Sequence, residues 1–307
     1  MRTISWGTIG CGDVCEHKSG PALKGVPGSR LVAVMRRTRE LAEDFALRHN
    51  VPKFYDNIDD LLADEEVQAV YIATPNNTHL KPVLAAANAG KHILCEKPMA
   101  RSAEACRQMI DACREHDLSL AVAYYRRCYP SIMRAKEIID AGEIGGVREI
   151  RINDEFPLSH RLDLVHYLCG DAAAVLKRNE TLPPGSHAEQ GEVLHVSTLS
   201  GAEAIMNVGW EEKNAPETVD ILGDAGEIHV TDLKKGQLRV IREGHEQQEQ
   251  PGPLPATHWG LVQNFVAHLN DGEPLACDGV EGRKSTVILD IVNELTPEDP
   301  QVPVDYT

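Results

Sequence analysis

Apolar runs and amphipathic segments alternate along the first 125 residues of this 307-residue chain. The apolar runs occupy residues 3–9, 31–35, 69–73, 92–95 and 119–124. Runs this short fit strands that are buried on both faces, and their alternation with helix-like segments is typical of a parallel sheet wound with helices. We therefore predict an α/β fold that begins with a Rossmann domain, a doubly wound parallel sheet, over residues 1–124.

Helix boundary signals fall between these runs. A helix is predicted for residues 38–50, and an alanine-rich helix at 78–89 stops at Gly90, a residue type that commonly ends helices. Ser102 is predicted to cap a helix that ends near His116, because a serine hydroxyl accepts hydrogen bonds from the first backbone N–H groups of a helix.

The pattern changes after residue 124. Strand-like runs then follow one another, which indicates an open, mostly antiparallel sheet, so residues 125–307 are predicted to form a second, α+β domain. The predicted elements are helices at 130–141, 258–269 and 282–295, strands at 146–152, 192–199 and 202–208, and an exposed loop at 244–255.

A glycine turn follows the first apolar run. Gly10 and Gly12 stand between the predicted strand and a helix-like segment, which is the order found where Rossmann domains bind a dinucleotide. Gly10 would permit a tight turn, and Gly12, Asp13 and Val14 would bring backbone N–H groups to a pyrophosphate at a helix N-terminus. Cys15 stands where the fingerprint usually has glycine or alanine. An ordinary strand-to-helix turn is the alternative.

Arg36 and Arg37 end the second apolar run, about 25 residues after Gly10. NAD-binding Rossmann domains typically place Asp or Glu there to bind the ribose hydroxyls. Two planar guanidinium groups suit a phosphate instead, so the pair favours NADP(H) over NAD(H). The alternative is an exposed basic pair at the start of the next helix.

Composition narrows the class of protein. The chain has 31 Lys and Arg against 47 Asp and Glu, a formal net charge of −16, which disfavours nucleic acids and anionic membranes as partners. Apolar stretches stay far below the roughly 18 residues of a membrane span, and the N-terminus runs into the first strand without the apolar region of a signal peptide. The eight scattered cysteines include no Cys-x-x-Cys pair and are typical of reduced thiols. We predict a cytoplasmic metabolic protein, with a redox pair of Cys11 and Cys15 left open.

Candidate cofactor-binding residues follow the third and fourth apolar runs. They are Thr74, Pro75, Asn76 and His79 after the third run, and Glu96 and Lys97, ahead of Pro98, after the fourth. In open α/β sheets, ligands bind beyond the carboxyl ends of the strands, so a lysine placed there is expected to point into the ligand crevice.

With these residues identified, the chain resembles the glucose-fructose oxidoreductase, inositol dehydrogenase and MocA family. The resemblance covers nearly the whole chain and is most specific at the glycine turn and at residues 73–79, 96–100 and 279–285. It implies an N-terminal Rossmann domain and a C-terminal domain whose open sheet faces the nicotinamide and often mediates oligomer contacts. A homo-oligomer, dimer or tetramer, is therefore expected.

The resemblance also implies roles for individual residues. Lys97 would hydrogen-bond the reacting oxygen, Glu96 would lie near the nicotinamide ribose, and the Lys97–Pro98 bond is often cis. Beside a positively charged nicotinamide the ammonium form of Lys97 is disfavoured, so it would exchange a proton with the substrate. Arg126 follows the last Rossmann strand and is expected to contact nicotinamide or substrate, the alternative being a solvated arginine pair with Arg127.

The second half of the family's site matches this chain less well. The family pattern is a glycine run, then Asp-x-Gly-x-His and a further Asp three residues later. His160 aligns with that histidine and would be the acid/base, and Asp163 would bind substrate. The glycine run is absent, and Phe156 holds the place of the first Asp. The candidates for the lost carboxylate are Asp154, Glu155 and Asp163.

A metal site at His160, Asp163 and His166 is disfavoured. On a helix these side chains fan across about 120°, and no further ligand is evident to complete a site.

The sequence therefore predicts an NAD(P)-dependent oxidoreductase that moves hydride between nicotinamide and a secondary hydroxyl or keto carbon of a sugar, polyol or related cyclic alcohol. The low content of Trp (3), Tyr (7) and Phe (4) favours a polar substrate. One alternative is a non-catalytic dinucleotide-binding or sensor protein with a degraded site, motivated by Phe156. The other is a reductase of a non-sugar substrate, such as an imine or a biliverdin-like compound.

Overall fold

The computed structural model describes residues 2–153, 157–181, 190–208 and 217–307. By packing, the chain divides into two compact units. The first comprises the chain up to Tyr125 together with Leu254–Thr286, and the second comprises Arg126–Pro253 and Val287–Thr307. Residues 254–286, which the predicted division placed in the second domain, thus pack with the first unit. The assignment of the two domains to cofactor and substrate stays a prediction.

Within the described ranges, the first unit is built on a sheet of six parallel strands. They are β1 (Ile4–Ile9), β2 (Ser29–Met35), β3 (Lys53–Tyr55), β4 (Ala69–Ile72), β5 (His92–Cys95) and β6 (Leu120–Val122). Their order is β3-β2-β1-β4-β5-β6, which is that of a Rossmann domain with its reversal of strand order between β1 and β4. The predicted parallel sheet is confirmed, although the short edge strand β3 was missed.

Helices connect these strands. They are α1 (Gly20–Gly25), α2 (Arg39–His49), α3 (Ile58–Ala63), α4 (Leu80–Asn88) and α5 (Ala103–Glu115). Ser102 caps α5 as predicted, because its hydroxyl accepts from the backbone N–H of Ala105 at 3.2 Å. Helix α4 begins later than predicted, because Asn76–Thr78 form a separate 3₁₀ turn.

Within the same ranges, the second unit is built on a sheet of nine strands. They are β7 (Val147–Asn153), β8 (Ala172–Thr181), β9 (Gln190–Thr198), β10 (Glu203–Asn207), β11 (Thr218–Gly223), β12 (Gly226–Asp232), β13 (Gln237–Arg242), β14 (His245–Glu249) and β15 (Val302–Pro303). Their order is β14-β13-β12-β11-β7-β10-β9-β8-β15, and neighbours run antiparallel except β7 and β10. The predicted open, mostly antiparallel sheet is confirmed.

One face of this second sheet forms the core of its unit. Val219 and Ile221 of β11 and Ile228 and Val230 of β12 are buried, while the residues between them are more exposed. This period of two is expected of a sheet that is covered on one face. Two helices, α6 (Pro130–Asp140) and α7 (Leu158–Cys169), belong to the same unit.

The predicted exposed loop at 244–255 is wrong in its first half. Residues His245–Glu249 form β14, the edge strand that pairs with β13. Glu246, Gln247 and Gln248 are exposed, so this strand shows no alternation of apolar and polar positions. Edge strands often carry such polar side chains, and hydrophobic periodicity cannot detect them.

Two late helices are α8 (Trp259–Asp271) and α9 (Gly279–Glu294). The ring of Phe265 lies 5.0 Å from that of Trp6 on β1, measured between centroids. The ring of Trp259 lies against Gly25, where an added Cβ would stand only 2.8 Å away. Because α8 buries its apolar side chains in this way, residues 254–286 join the first unit. No helix in the described residues combines the length and the apolar content that crossing a membrane requires.

Candidate functional site

The glycine turn at the end of β1 is held from two sides. Gly10 has a φ of +94°, and a Cβ added there would lie 2.9 Å from the carbonyl oxygen of Ala73. Its own N–H donates to Met35 O at 2.9 Å. The turn therefore requires glycine, both for its left-handed backbone and for the close approach of the chain after β4.

Gly12 differs from Gly10, because a Cβ added there would meet no protein atom within 4 Å. The packing of the protein does not need this glycine, but a ligand approaching the backbone would benefit from the open space. Asp13 and Val14 follow at the start of the helical segment that leads into α1. The binding of a pyrophosphate at this turn stays a prediction.

Cys11 and Cys15 flank this turn as separate thiols. Cys15 is buried, and its thiol donates to Gly10 O at 3.5 Å, which supports the turn from behind. Burial raises the pKa of Cys11 to about 11 and raises the pKa of Cys15 as well. All eight cysteines of the chain lie in the described ranges and are free. Both thiols at the turn are therefore protonated at neutral pH, which makes them poor partners in thiol exchange.

A cleft of about 510 Å³ opens beside the glycine turn. The predicted site residues that line it are Gly10, Gly12, Arg36, Arg37, Thr74 and Pro75. Arg36 and Arg37 are exposed, and among the described residues neither forms an ion pair with a carboxylate. The next arginine, Arg39, is ion-paired with Asp56 at 3.4 Å. The two arginines at the cleft are thus available to a phosphate.

His79 lies behind the cleft and is buried. Its Nε2 is 2.8 Å from Thr74 O, and its Nδ1 is 3.1 Å from both Pro98 O and Met99 O. Both ring nitrogens therefore face backbone carbonyls. This arrangement ties the turn after β4 to the segment after β5, and it places the predicted cofactor ligand His79 in a supporting position. Asn76 lies in the exposed 3₁₀ turn between them.

Glu96 and Lys97 follow β5 directly, at the carboxyl end of the sheet. The Lys97–Pro98 peptide bond is cis, as the resemblance implies. Glu96 is buried, whereas Lys97 is half-buried, and the backbone N–H of Lys97 donates to Glu96 Oε2 at 3.1 Å. The carboxylate of Glu96 thus fixes the backbone from which the lysine side chain extends.

Two residues that sequence reasoning missed hold the other oxygen of Glu96. The hydroxyl of Tyr71 donates to Oε1 at 2.5 Å, and Nε2 of His258 donates to the same oxygen at 2.9 Å. Both side chains are fully buried, and the ring of Tyr125 lies 4.7 Å from that of His258. We call Tyr71, Glu96 and His258 the carboxylate network. The one signal in the sequence for this network was Tyr71, which carries a polar hydroxyl within an otherwise apolar strand run.

The carboxylate network sets the charge of Glu96. Burial raises the pKa of Glu96, but the hydrogen bond from His258, its charge, the hydrogen bond from Tyr71 and the charge of Lys97 outweigh this effect and lower that pKa to about 2. Burial and the neighbouring Glu96 raise the pKa of Tyr71. Glu96 is therefore ionised beside Lys97 at every physiological pH.

The remaining predicted site residues lie in the second unit. Asp163 is fully buried in α7, and both of its oxygens accept from Nε of Arg127, at 3.0 and 3.1 Å. Arg126 is also buried and lies 3.7 Å from Glu217. The expected alternative of a solvated arginine pair is therefore wrong, since both Arg126 and Arg127 are interior groups. The carboxylate of Asp163, predicted to bind substrate, is engaged by Arg127.

His160 lies in the first turn of α7 and is completely buried. Three residues of the sequence prediction lie outside the described residues. They are Phe156, which holds the place of the family's first Asp, and Asp154 and Glu155, two candidates for the lost carboxylate. His166 contacts Leu162 O at 2.8 Å and the hydroxyl of Tyr306 at 2.7 Å. Within the described ranges, no group of three or more His, Cys, Asp or Glu side chains is placed to hold a metal ion.

The comparison with protein families decides the classification of the first unit. Residues 4–124 match the model described as the oxidoreductase family with an NAD-binding Rossmann fold, the Gfo/Idh/MocA family. Over these residues, the chain is similar to the Gfo/Idh/MocA oxidoreductase family.

Two curated relatives show how far this likeness extends. Oxidoreductase P35 of Formosa agariphila is 42% identical over 144 residues, which is 47% of this chain and 45% of the relative. D-xylose 1-dehydrogenase [NADP(+)] of Haloarcula marismortui is 35% identical over 271 residues, which is 87% of this chain and 64% of the relative. The matches to the first relatives span about half of their length.

A likeness in fold to a solved structure extends over nearly the whole chain. A crystal structure of an oxidoreductase from Agrobacterium radiobacter, in complex with NAD⁺, L-tartaric acid and magnesium, superimposes with a TM-score of 0.85. It covers 98% of both chains at 21% sequence identity. At this identity the likeness establishes the two-domain fold.

Proposed function

We propose that this protein is an NADP-preferring oxidoreductase that transfers hydride between the nicotinamide ring and a secondary hydroxyl or keto carbon of a sugar, polyol or related cyclic alcohol. The observation that supports it most is the arrangement of the first unit, in which a glycine turn, a cleft lined by two arginines and a strand-end lysine occur on one Rossmann sheet. The name of the D-xylose dehydrogenase relative supports the substrate class.

The residues at the cleft fit a dinucleotide. Gly10 and Gly12 would admit the pyrophosphate to the backbone N–H groups of Asp13 and Val14, where the helix dipole favours negative charge. Arg36 and Arg37 would bind the 2′-phosphate that distinguishes NADP from NAD. When bound, the nicotinamide supplies or accepts the hydride.

The proton of the reacting hydroxyl needs a separate acceptor. Lys97 extends from the carboxyl end of β5, where ligands of open sheets bind, and the carboxylate network fixes its backbone. We assign Lys97 to the reacting oxygen and retain His160 as the acid/base that completes proton exchange. His160 is completely buried in the second unit.

Cofactor choice is tested by the affinity for NADPH and NADH of the Arg36→Ala and Arg37→Ala variants. Each substitution removes hydrogen bonds to a charged phosphate, so NADPH affinity is expected to fall about 10-fold or more while NADH affinity is unchanged. Arg39→Ala is the matched control, because this arginine is already paired with Asp56. Unaltered NADPH affinity in both variants would show that the basic pair does not read the 2′-phosphate.

Catalysis is tested with a panel of sugars, polyols and keto-sugars. Lys97→Met is expected to lower kcat roughly 100- to 10,000-fold with cofactor affinity retained, as the loss of a general acid or base does. Lys24→Met, at an exposed position, serves as control. His160→Asn tests the second acid/base, and an unchanged rate would remove that role. NADPH binding without turnover of any panel member by the unmodified protein would favour a sensor.

Two further parts of the proposal concern the cellular compartment and the oligomeric state of the protein. The buried, free cysteines are consistent with a reducing, cytoplasmic compartment. The exposed face of the second sheet is where we expect a homo-oligomer to form. Light scattering coupled to size-exclusion chromatography measures that state directly.

A further inference from the structure

Two arginines of the second unit are buried together. Arg126 is 1% exposed and Arg161 is 3% exposed. Burying an ionised group is costly unless a counter-charge and hydrogen bonds compensate. The buried guanidinium of Arg161 therefore needs an explanation.

Arg161 has few partners for a buried cation. One terminal nitrogen donates to the carbonyl oxygen of Asn207 at 2.6 Å. Its Nε makes no hydrogen bond, and within the described residues no carboxylate forms an ion pair with it. A buried arginine that forms no ion pair with a described carboxylate is unusual in a chain with 47 acidic residues against 31 basic ones.

The surroundings of Arg161 disfavour its charged form. Burial first, and then the positive charge of Arg126, lower the pKa of Arg161 to about 10. It is still protonated at neutral pH, and the neighbouring charge that acts on it is repulsive. Glu217, a carboxylate 3.7 Å from Arg126, is also paired with Lys234 at 2.6 Å.

One of these cations neighbours, along the chain, a residue that the proposed reaction uses. Arg161 directly follows His160, the proposed acid/base, in α7. A planar guanidinium binds a carboxylate through two parallel hydrogen bonds, which would satisfy the Nε that now has no acceptor.

We propose that Arg161, assisted by Arg126, binds a carboxylate of the substrate, so that the protein acts on a sugar acid or a related cyclic hydroxy acid. This inference rests on the proposed function and narrows its substrate class. A carboxylate brings a single negative charge, which matches the guanidinium of Arg161, for which the described residues supply no carboxylate partner. A phosphate ester brings nearly two and fits this buried site less well.

Matched compounds that differ in charge test the proposal. The NADPH-saturated protein is titrated with D-glucose, D-glucuronate and D-glucose 6-phosphate, and binding is followed by thermal shift and calorimetry. Oxidation of each compound is measured with NADP⁺ and NAD⁺. The variants are Arg161→Gln, Arg161→Lys and the control Arg151→Gln, an exposed arginine of the same unit paired with Glu149.

Glucuronate is expected to stabilise the unmodified protein more than glucose does. Arg161→Gln should weaken glucuronate binding about 10- to 150-fold, as expected for the loss of charged hydrogen bonds, with glucose binding and NADPH affinity unchanged. Arg161→Lys should restore part of the binding, because it keeps the charge and loses the planar fork. Arg151→Gln should behave like the unmodified protein.

Other results would overturn the inference. Equal binding of glucose and glucuronate would overturn the carboxylate site. If neutral sugars are nevertheless oxidised, the proposed function stands. Preference for glucose 6-phosphate would reassign the site to a phosphate. Should Arg161→Gln fail to fold, the comparison of the three compounds on the unmodified protein and on Arg161→Lys decides alone. The proposed function fails separately, if NADPH binds but no compound is oxidised.

Discussion

Replacing His258 by leucine should destabilise the first unit in a pH-dependent way. His258 donates to the buried carboxylate of Glu96 at 2.9 Å. A pKa of about 2 for Glu96, against its ordinary value of 4.5, corresponds to roughly 3 kcal/mol of stabilisation at neutral pH. Breaking a buried pair by removing one partner costs about 3–5 kcal/mol. We therefore expect His258→Leu to lower the free energy of unfolding by about 3 kcal/mol at pH 7.

The direction of the pH dependence follows from the same values. Because the folded-state pKa of Glu96 lies below its unfolded value, the stabilisation is complete above about pH 5 and is lost only as the pH falls through about 2. In His258→Leu, Glu96 remains buried but loses the hydrogen bond and the charge of His258, so the pKa of Glu96 rises. The variant should then recover stability relative to the unmodified protein between pH 7 and pH 5, as the carboxylate is protonated.

Urea unfolding monitored by tryptophan fluorescence measures this effect between pH 5 and pH 8. Trp6 and Trp259 both belong to the first unit, so their emission reports on that unit, and a Trp210→Phe background removes the third tryptophan. His116→Leu is the control, since His116 is exposed and its replacement should change the free energy of unfolding by less than about 0.5 kcal/mol. A loss below 1 kcal/mol at pH 7, or a loss that is independent of pH, would refute our account of the carboxylate network.

Three further predictions concern other parts of the chain. Ser102→Ala should cost about 1 kcal/mol in urea unfolding, because it removes the acceptor for the N–H of Ala105 at the start of α5, and Ser102→Asp should retain the stability. Arg127→Met should cost about 3–5 kcal/mol, because it leaves the fully buried carboxylate of Asp163 without the guanidinium that both its oxygens contact, and a Tm equal to that of the unmodified protein would contradict this. A thiol reagent added to the folded protein at pH 7 should modify Cys11 and Cys15 slowly, because burial raises the pKa of both thiols, whereas addition of urea should make them reactive at once.

The elements that the sequence predicted well are those whose signals are local. The buried strand β5 was located from four consecutive apolar-leaning residues, and the cap of α5 from Ser102. Gly10 was identified from its position between a strand and a helix, and the structure gives it the positive φ that only glycine adopts easily. Such features depend on a few neighbouring residues, so the order of residues is sufficient to predict them.

The elements that were missed depend on partners far away in the chain. β14 is a strand only because β13 offers a free edge, and its polar sequence shows no period. The carboxylate network joins Glu96 to Tyr71, 25 residues away, and to His258, 162 residues away. Nothing local marks His258, which reads as an ordinary residue before a helix.

The sequence by itself determined the Rossmann sheet, the glycine turn with its two arginines, and the lysine at the end of β5, because each is written in the periodicity and chemistry of adjacent residues. Only the tertiary structure decided which groups are buried and what they face: that Asp163 is held by Arg127, and that Arg161 is an interior cation. Burial and electrostatic pairing depend on distances through space, which the chain sets only when its two sheets have formed and their faces are covered.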